Sequence, residues 1–276
     1  MGLSFASYGT SAGPRWLYTV GVIEVGTSGF SFDDWVGPVY PRDIPKSQWL
    51  PYYNHVLGFR LLELNSSFYS LIAAPSVERM IAATTADFRF VVKAHQALTH
   101  KAIDAQVLER FRGTVDLFRA AGRFTGTLAQ YPPSFLPREE SWSALEALHE
   151  KLGDPFFVEF RNRAWTAAAT WERLRKAGIA TCVTDLPPIR SLPDRTAVVT
   201  AGTAYLRLHG RSPHWFSDAA LRYSYSYSEA ELSELLGVAR ELERSAPQVL
   251  VFFNNCHSGQ AAQNALRFAK LLDAAG

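Results

Sequence analysis

The 276-residue sequence predicts a TIM-like (β/α)8 barrel, an α/β fold, and three observations predict it. Eight short apolar runs recur along the chain, helix-length stretches separate most of them, and the runs turn polar toward their C-terminal ends. Runs buried on both faces and alternating with helices indicate a parallel sheet covered by helices. Eight such strands close a barrel of about 250 residues.

The first run is VIEVGTS (22–28), and a helix is expected over 45–57, opened by Pro45. Proline suits a first turn because its φ is already helical and its missing N–H has no intrahelical partner there. FRLLELNSS (59–67) follows, then a helix over 75–85 that Pro75 opens in the same way. FRFVVKAH (88–95) precedes a helix over 104–121, and TGTLAQY (125–131) precedes one over 138–152. PFFVEFR (155–161), a helix over 167–177 and IATCVTD (179–185) come next. LPPIRSLPDRTAVVTAGT (186–203) contains three prolines and no helical period, so the helix between strands six and seven is missing or reduced. AYLRLHG (204–210) leads to a helix over 229–245, with Ser228 placed to cap it ahead of Glu229 and Glu231. QVLVFFNN (248–255) and a helix over 259–273 complete the set.

No linker, repeat or low-complexity tract interrupts residues 21–276, so that span reads as one barrel domain. Residues 1–20 read as a flexible N-terminal extension, with no continuous apolar segment of the signal-peptide kind. Ala6 stands where a myristoylation motif wants Ser or Thr. The chain is 47% apolar and 20% charged, an ordinary globular balance, and its net charge of +2 commits no whole-molecule field to nucleic acid. A local basic patch stays open. Cys182 and Cys256 are far apart and form no CxxC, which fits reduced thiols and a cytoplasmic location. No apolar run approaches the roughly 18–20 residues that span a bilayer, so no membrane partner is expected. Nothing in the sequence specifies an oligomeric state.

Side chains alternate along a strand, so Phe157, Glu159 and Arg161 share a face. The same parity groups Leu61, Glu63 and Asn65; Val91, Lys93 and His95; Leu128 and Gln130; and Tyr205, Arg207 and His209. By the same reasoning Thr181, Val183 and Asp185 form the inward set of the sixth strand, and the eighth ends in Asn254-Asn255. The opposite parity, including Leu62, Leu64, Val92, Val158, Phe160, Leu206 and Leu208, suits a helix-facing layer. The polar set then points into the barrel at its C-terminal end, where barrel active sites are built.

Longer segments carry a resemblance. IEVGTSGFSFDDWVGPVYP (23–41), LELNSSFYSL (62–71), FRFVVKAHQALTH (88–100) and LAQYPPSF (128–135) resemble the domain of unknown function 72, or YecE-like, family. So do VEFRNRAW (158–165), YLRLHGR (205–211) with YSYSYSEAEL (223–232), and FFNNCHSGQAAQNA (252–265). The matches run in order from about residue 22 to the end. The resemblance implies a TIM-like barrel and brings no established reaction, so the chemistry rests on the residues themselves.

Lys93, Arg161 and Arg207 converge on an expected anion, since Arg offers a planar fork and Lys a point charge. VGTSGF (25–30) adds a turn whose N–H groups are candidates for the same anion. Asn65, Gln130 and Asn254 join the binding set. Phe30, Trp35, Tyr40, Phe68, Tyr69, Tyr131, Trp165, Trp215, Tyr223 and Tyr225 form a group of loop aromatics expected to stack a base or sugar at the rim, with Trp35, Tyr69 and Trp165 selected from it. Glu63, Glu159 and Asp185 are the carboxylates available to position or activate water, and His209 or His95 is expected to give a proton to the leaving oxygen. The leading expectation is therefore a hydrolase-type enzyme, such as a phosphoesterase, acting on a nucleotide, nucleic acid or phosphosugar. The second is a non-catalytic protein that binds a nucleic acid or anionic metabolite in the same pocket. A glycosidase built on Glu63 and Glu159 is a minor alternative, because three cations suit a neutral sugar poorly. A fourth is purely structural: a charge-balanced network filling the barrel top. No metal or cofactor is expected, since the cations would repel a dication.

Overall fold

The computed structural model describes residues 23–275. The extension expected over residues 1–20, and Val22 of the first run, lie outside the described residues. Eight parallel strands form a closed barrel in sequence order: β1 (Ile23–Ser28), β2 (Leu61–Leu64), β3 (Arg89–Lys93), β4 (Phe124–Gln130), β5 (Phe156–Glu159), β6 (Ala180–Asp185), β7 (Thr203–Leu208) and β8 (Gln248–Phe253). β8 returns to β1 in a register running from Ile23 opposite Val249 to Thr27 opposite Phe253.

The helices fall close to the expected spans. They are α1 (Trp49–Pro51), α2 (Ala74–Ala82), α3 (Gln96–Thr99), α4 (Ala105–Ala120), α5 (Glu139–Leu152), α6 (Ala168–Ala177), α7 (Glu229–Glu243) and α8 (Gln260–Ala274). Local chemistry sets several ends. Asp104 caps α4 by accepting from the Gln106 and Val107 amides at 2.9 and 3.1 Å. Ser228 and Glu231 form a reciprocal capping box at the start of α7. Gly178 ends α6 in the left-handed region at φ 71°. The stretch expected as one helix over 45–57 is instead a 3-10 turn (Lys46–Gln48), α1, and a π-helical turn (Tyr52–Val56). Pro51 explains the break, because it cannot donate to the preceding turn. As expected, no helix lies between β6 and β7.

The barrel has two cores. Outside, Leu62, Leu64, Val92, Val158, Phe160, Leu206 and Leu208 pack against the helices, as their parity requires. Inside, Leu61, Val91, Leu128, Phe157, Ala180, Tyr205, Leu250 and Phe252 form an apolar plug. The plug is tight: a Cβ on Gly26 would meet the Leu61 carbonyl oxygen at 2.3 Å, so only glycine fits where β1 crosses β2. Near the N-terminal ends of the strands, Glu24 pairs with Arg89 and accepts from Gln248 Nε2 at 2.8 Å. The apolar plug separates these groups from the polar layer at the C-terminal ends of the strands.

The sixth strand has the opposite parity to the one expected. Ala180 belongs to the inner plug and Cys182 packs against it, while Val183 belongs to the outer core. Asp185 thus faces the helices, not the barrel interior. Among the described residues, no helix is long and apolar enough to cross a membrane.

Candidate functional site

One connected network fills the mouth. Arg207, on β7, lies at its centre and is 1% exposed. Its Nη2 reaches Glu63 Oε1 at 2.6 Å and its Nε reaches Glu63 Oε2 at 3.0 Å. Its Nη1 reaches Glu159 Oε2 at 2.8 Å. Arg161 closes on the other Glu159 oxygen through Nε, and Tyr205 Oη donates to Glu63 Oε2 at 2.5 Å. All four oxygens of the two buried carboxylates are therefore engaged. Arg161 and Arg207 overcome the effect of burial and hold the Glu159 carboxyl well below the usual carboxylate range.

His209 is fully buried, and its Nε2 lies 3.3 Å from Glu159 Oε2. Asn254 Nδ2 lies 2.8 Å from His209 Nδ1. Asn254 Oδ1 meanwhile accepts from Arg207 Nη2 at 3.3 Å and from Asn65 Nδ2 at 3.2 Å, which orients its amide to donate toward the ring. The ring is thus neutral, with its proton on Nε2. Burial, then Arg161, push its pKa down to about 3.

Lys93 is the exception in this layer. Among the described residues no carboxylate lies within ion-pair distance of it; its Nζ donates to Gln130 Oε1 at 2.9 Å and sits 4.3 Å from the centre of the Phe68 ring. Burial, then Arg207, push its pKa down to about 7, although Glu63 and Glu159 act to raise it. Gln130 Oε1 also accepts from Arg161 Nη2 at 3.2 Å and Arg207 Nη1 at 3.3 Å. Three cationic side chains thus aim at one amide oxygen. Ser28 is fully buried on β1 with its backbone opposite Glu63, and its Oγ has no hydrogen-bond partner among the described residues. Trp215 flanks the mouth, 5.4 Å from the Arg161 guanidinium and edge-on to His209.

The sequence profile of the family described as protein of unknown function DUF72 matches residues 24–276. The chain belongs to the DUF72 family. The UPF0759 protein YunF of Bacillus subtilis (strain 168) is 28% identical over 273 residues, covering 91% of this chain and 95% of that protein. A solved DUF72 family protein (TM1631) from Thermotoga maritima MSB8 is 40% identical, with a TM-score of 0.86 over 92% of this chain and 100% of that one. A second, EF0366 from Enterococcus faecalis V583, has a TM-score of 0.79 at 23% identity, over 91% and 95% of the two chains. SacUVDE shares the barrel fold at 11% identity, with a TM-score of 0.55 over 83% of this chain and 86% of that one.

In this DUF72 barrel the structure brings together Glu63, Asn65, Lys93, Gln130, Glu159, Arg161, Arg207, His209 and Asn254. Four expected site residues stand elsewhere, and a fifth, Tyr69, stands at the edge of the site. Asp185 accepts from Tyr227 Oη at 2.7 Å and pairs with Arg195 and Arg211, tying down the segments that follow β6 and β7. His95 caps α3, its Nδ1 accepting from the Ala97 amide at 3.2 Å. Trp35 and Trp165 are buried in the outer core, donating to the Cys256 and Phe135 carbonyls at 2.7 and 2.6 Å. Tyr69 is 72% exposed and packs edge-on against Phe68, which is the ring that meets Lys93. The turn after β1 is also less free than expected, because the Gly29 amide donates to Glu63 O at 2.8 Å. Tyr205 is the contributor that sequence reasoning missed, while Phe68 and Trp215 come from the wider group of rim aromatics and not from its three selected members. Tyr205 carried a legible signal, since an inward tyrosine two residues before Arg207 needs a partner for its hydroxyl.

Proposed function

We propose that the barrel binds a phosphate-containing ligand at its C-terminal mouth and acts on it through Lys93. One observation carries this reading: the convergence of Lys93 Nζ, Arg161 Nη2 and Arg207 Nη1 on Gln130 Oε1. With Lys93 protonated, two carboxylates face three cations, and a neutral amide oxygen satisfies the surplus so incompletely that the lysine loses its proton near pH 7 when the pocket is empty. An anionic oxygen taking the place of Gln130 Oε1 would complete the charge balance, and the unpartnered Ser28 hydroxyl marks another polar group in the mouth left for a ligand. Phe68 and Trp215 supply apolar walls beside the cations, as a nucleotide or phosphosugar requires.

The expected hydrolase scheme changes in its parts. Glu63 and Glu159 have no oxygen free to activate water, and a neutral, fully engaged His209 is poorly placed to give a proton. Their work is to hold the arginines. A glycosidase would need a carboxyl free to reach the glycosidic oxygen, and both are fully engaged. Lys93 is the group poised near neutrality, and the catalytic reading rests on it. The fully bonded carboxylates also favour the second reading, a binding protein without turnover. Cys182 and Cys256, both free thiols, fit a reducing cytoplasm.

Inorganic phosphate should raise the melting temperature of the wild type by mass action. Lys93→Met should reduce that rise, and the exposed control Arg138→Ala should keep it in full. Equal rises in wild type and Lys93→Met would leave the cationic layer as a brace for the barrel. Turnover of phosphorylated substrates, absent in Lys93→Met, separates an enzyme from a binding protein.

A further inference from the structure

Resting on that reading, we propose that Lys93 is a nucleophile that forms an imine with the carbonyl carbon of a small phosphorylated aldehyde or ketone. Each arginine in the layer has a carboxylate, but Lys93 has none within ion-pair distance among the described residues. A lysine placed only to balance charge would sit against Glu63 or Glu159. This one instead shares an amide oxygen with two guanidinium groups in a buried pocket. Burial and those like charges favour the uncharged amine, against the Phe68 ring face and the amide oxygen, which suit an ammonium.

The same point in space is covered by two further donors. Arg161 Nη2 and Arg207 Nη1 reach Gln130 Oε1 at 3.2 and 3.3 Å, and Lys93 Nζ reaches it at 2.9 Å. A carbonyl oxygen held there is polarised by two guanidinium groups that never lose their charge, with the amine beside it. In this ligand the carbonyl oxygen takes the Gln130 Oε1 position that a free inorganic anion would otherwise fill, and Arg161, whose guanidinium also faces Trp215, is the cation assigned to the phosphate. The neutral amine forms a C–N bond as the carbonyl π pair moves to oxygen. Two proton transfers then release that oxygen as water, so Lys–NH2 and R–CHO become Lys–N=CH–R and H2O. No oxidant or reductant is consumed. The amine is available near neutral pH because burial, then Arg207, keep it readily deprotonated.

The test is reductive trapping on the full-length wild-type chain, with glycolaldehyde phosphate as probe, sodium cyanoborohydride at pH 7.5, and peptide mass mapping. Lys93 should be labelled at least about tenfold faster than Lys176, whose side chain is 76% exposed, because far more of it is uncharged at that pH. Inorganic phosphate should suppress labelling at Lys93 and leave Lys176 unchanged. Labelling of Lys93 no faster than Lys176 overturns the imine. If phosphate still stabilises the fold in that case, the anion site survives and only the nucleophile falls. Fast labelling of Lys93 by phosphorylated and unphosphorylated glycolaldehyde alike, without stabilisation by phosphate, supports the nucleophile and removes the phosphate reading. Wild-type protein reports directly on Lys93, so no variant has to fold.

Discussion

Replacing Lys93 with methionine keeps an unbranched side chain in the barrel mouth and removes the ammonium group. In the wild type, burial, Arg207 and Arg161 act to lower the amine pKa, Glu63 and Glu159 act to raise it, and the outcome is about 7 in place of 10.5. His100 also feels the lysine charge. The unfolded chain carries an ordinary lysine, so from about pH 7 to 10 the unfolded state binds the extra proton and native stability rises with pH. Below pH 7 both states are protonated, and the folded state carries the whole penalty of a buried ammonium. Within the window each pH unit changes stability by about 1.4 kcal/mol. Going from pH 6 to pH 9 therefore strengthens the wild type by about 3 kcal/mol through this residue alone. Lys93→Met lacks that contribution, so its stability relative to wild type should fall by about 3 kcal/mol over the same interval. Urea denaturation followed by circular dichroism at the two pH values measures the change. A difference between the proteins that stays constant to within about 0.5 kcal/mol would show a lysine charged throughout, and the reasoning from burial would be refuted.

Three further outcomes follow from the geometry. Glu159→Gln strands Arg161 and Arg207 with a single carboxylate between them, and should lower unfolding free energy by roughly 3–5 kcal/mol in urea. A loss below about 1 kcal/mol would mean that the network is not tightly coupled. Asp185→Asn should destabilise by roughly 1–3 kcal/mol through its lost pairs with Arg195 and Arg211, yet keep the full phosphate-induced rise in melting temperature. Disappearance of that rise would return Asp185 to the pocket. Gly26→Ala drives a methyl into the Leu61 carbonyl, and should lower stability by about 1–3 kcal/mol or prevent soluble expression. An unchanged melting temperature would contradict the tight crossing of β1 and β2.

The barrel was legible because eight apolar runs and their helices repeat, and because stretches such as LELN (62–65) and VEFR (158–161) alternate strictly enough to assign faces. That alternation also located Glu63, Lys93, Gln130, Glu159, Arg161, Arg207 and His209. It failed in β6, where Ala180, Cys182 and Thr184 are no more polar than Thr181 and Val183. Only the charge of Asp185 suggested a direction there, and its real partners, Arg195, Arg211 and Tyr227, lie 10 to 42 residues away. Trp35 and Trp165 were misplaced for a related reason. Each indole N–H finds a distant backbone carbonyl, 221 and 30 residues away respectively, so both rings bury themselves without a ligand. The helix over 45–57 failed locally, at Pro51. Periodicity reports which face is apolar; it does not report which distant group will satisfy a polar atom.

Lys93 and a bound anion must be coupled if the barrel mouth is an anion site, and sulfate measures that coupling without titrating near neutrality itself. Calorimetric titration of the wild type with sulfate at pH 8, in two buffers of different ionisation enthalpy, counts the protons taken up per anion bound. An empty pocket at that pH holds Lys93 mostly uncharged, and a bound anion restores the charge. The predicted result is saturable binding with uptake of about one proton per sulfate, and weaker binding without uptake in Lys93→Met. Saturable binding with no proton uptake, or equal binding by Lys93→Met, would contradict it.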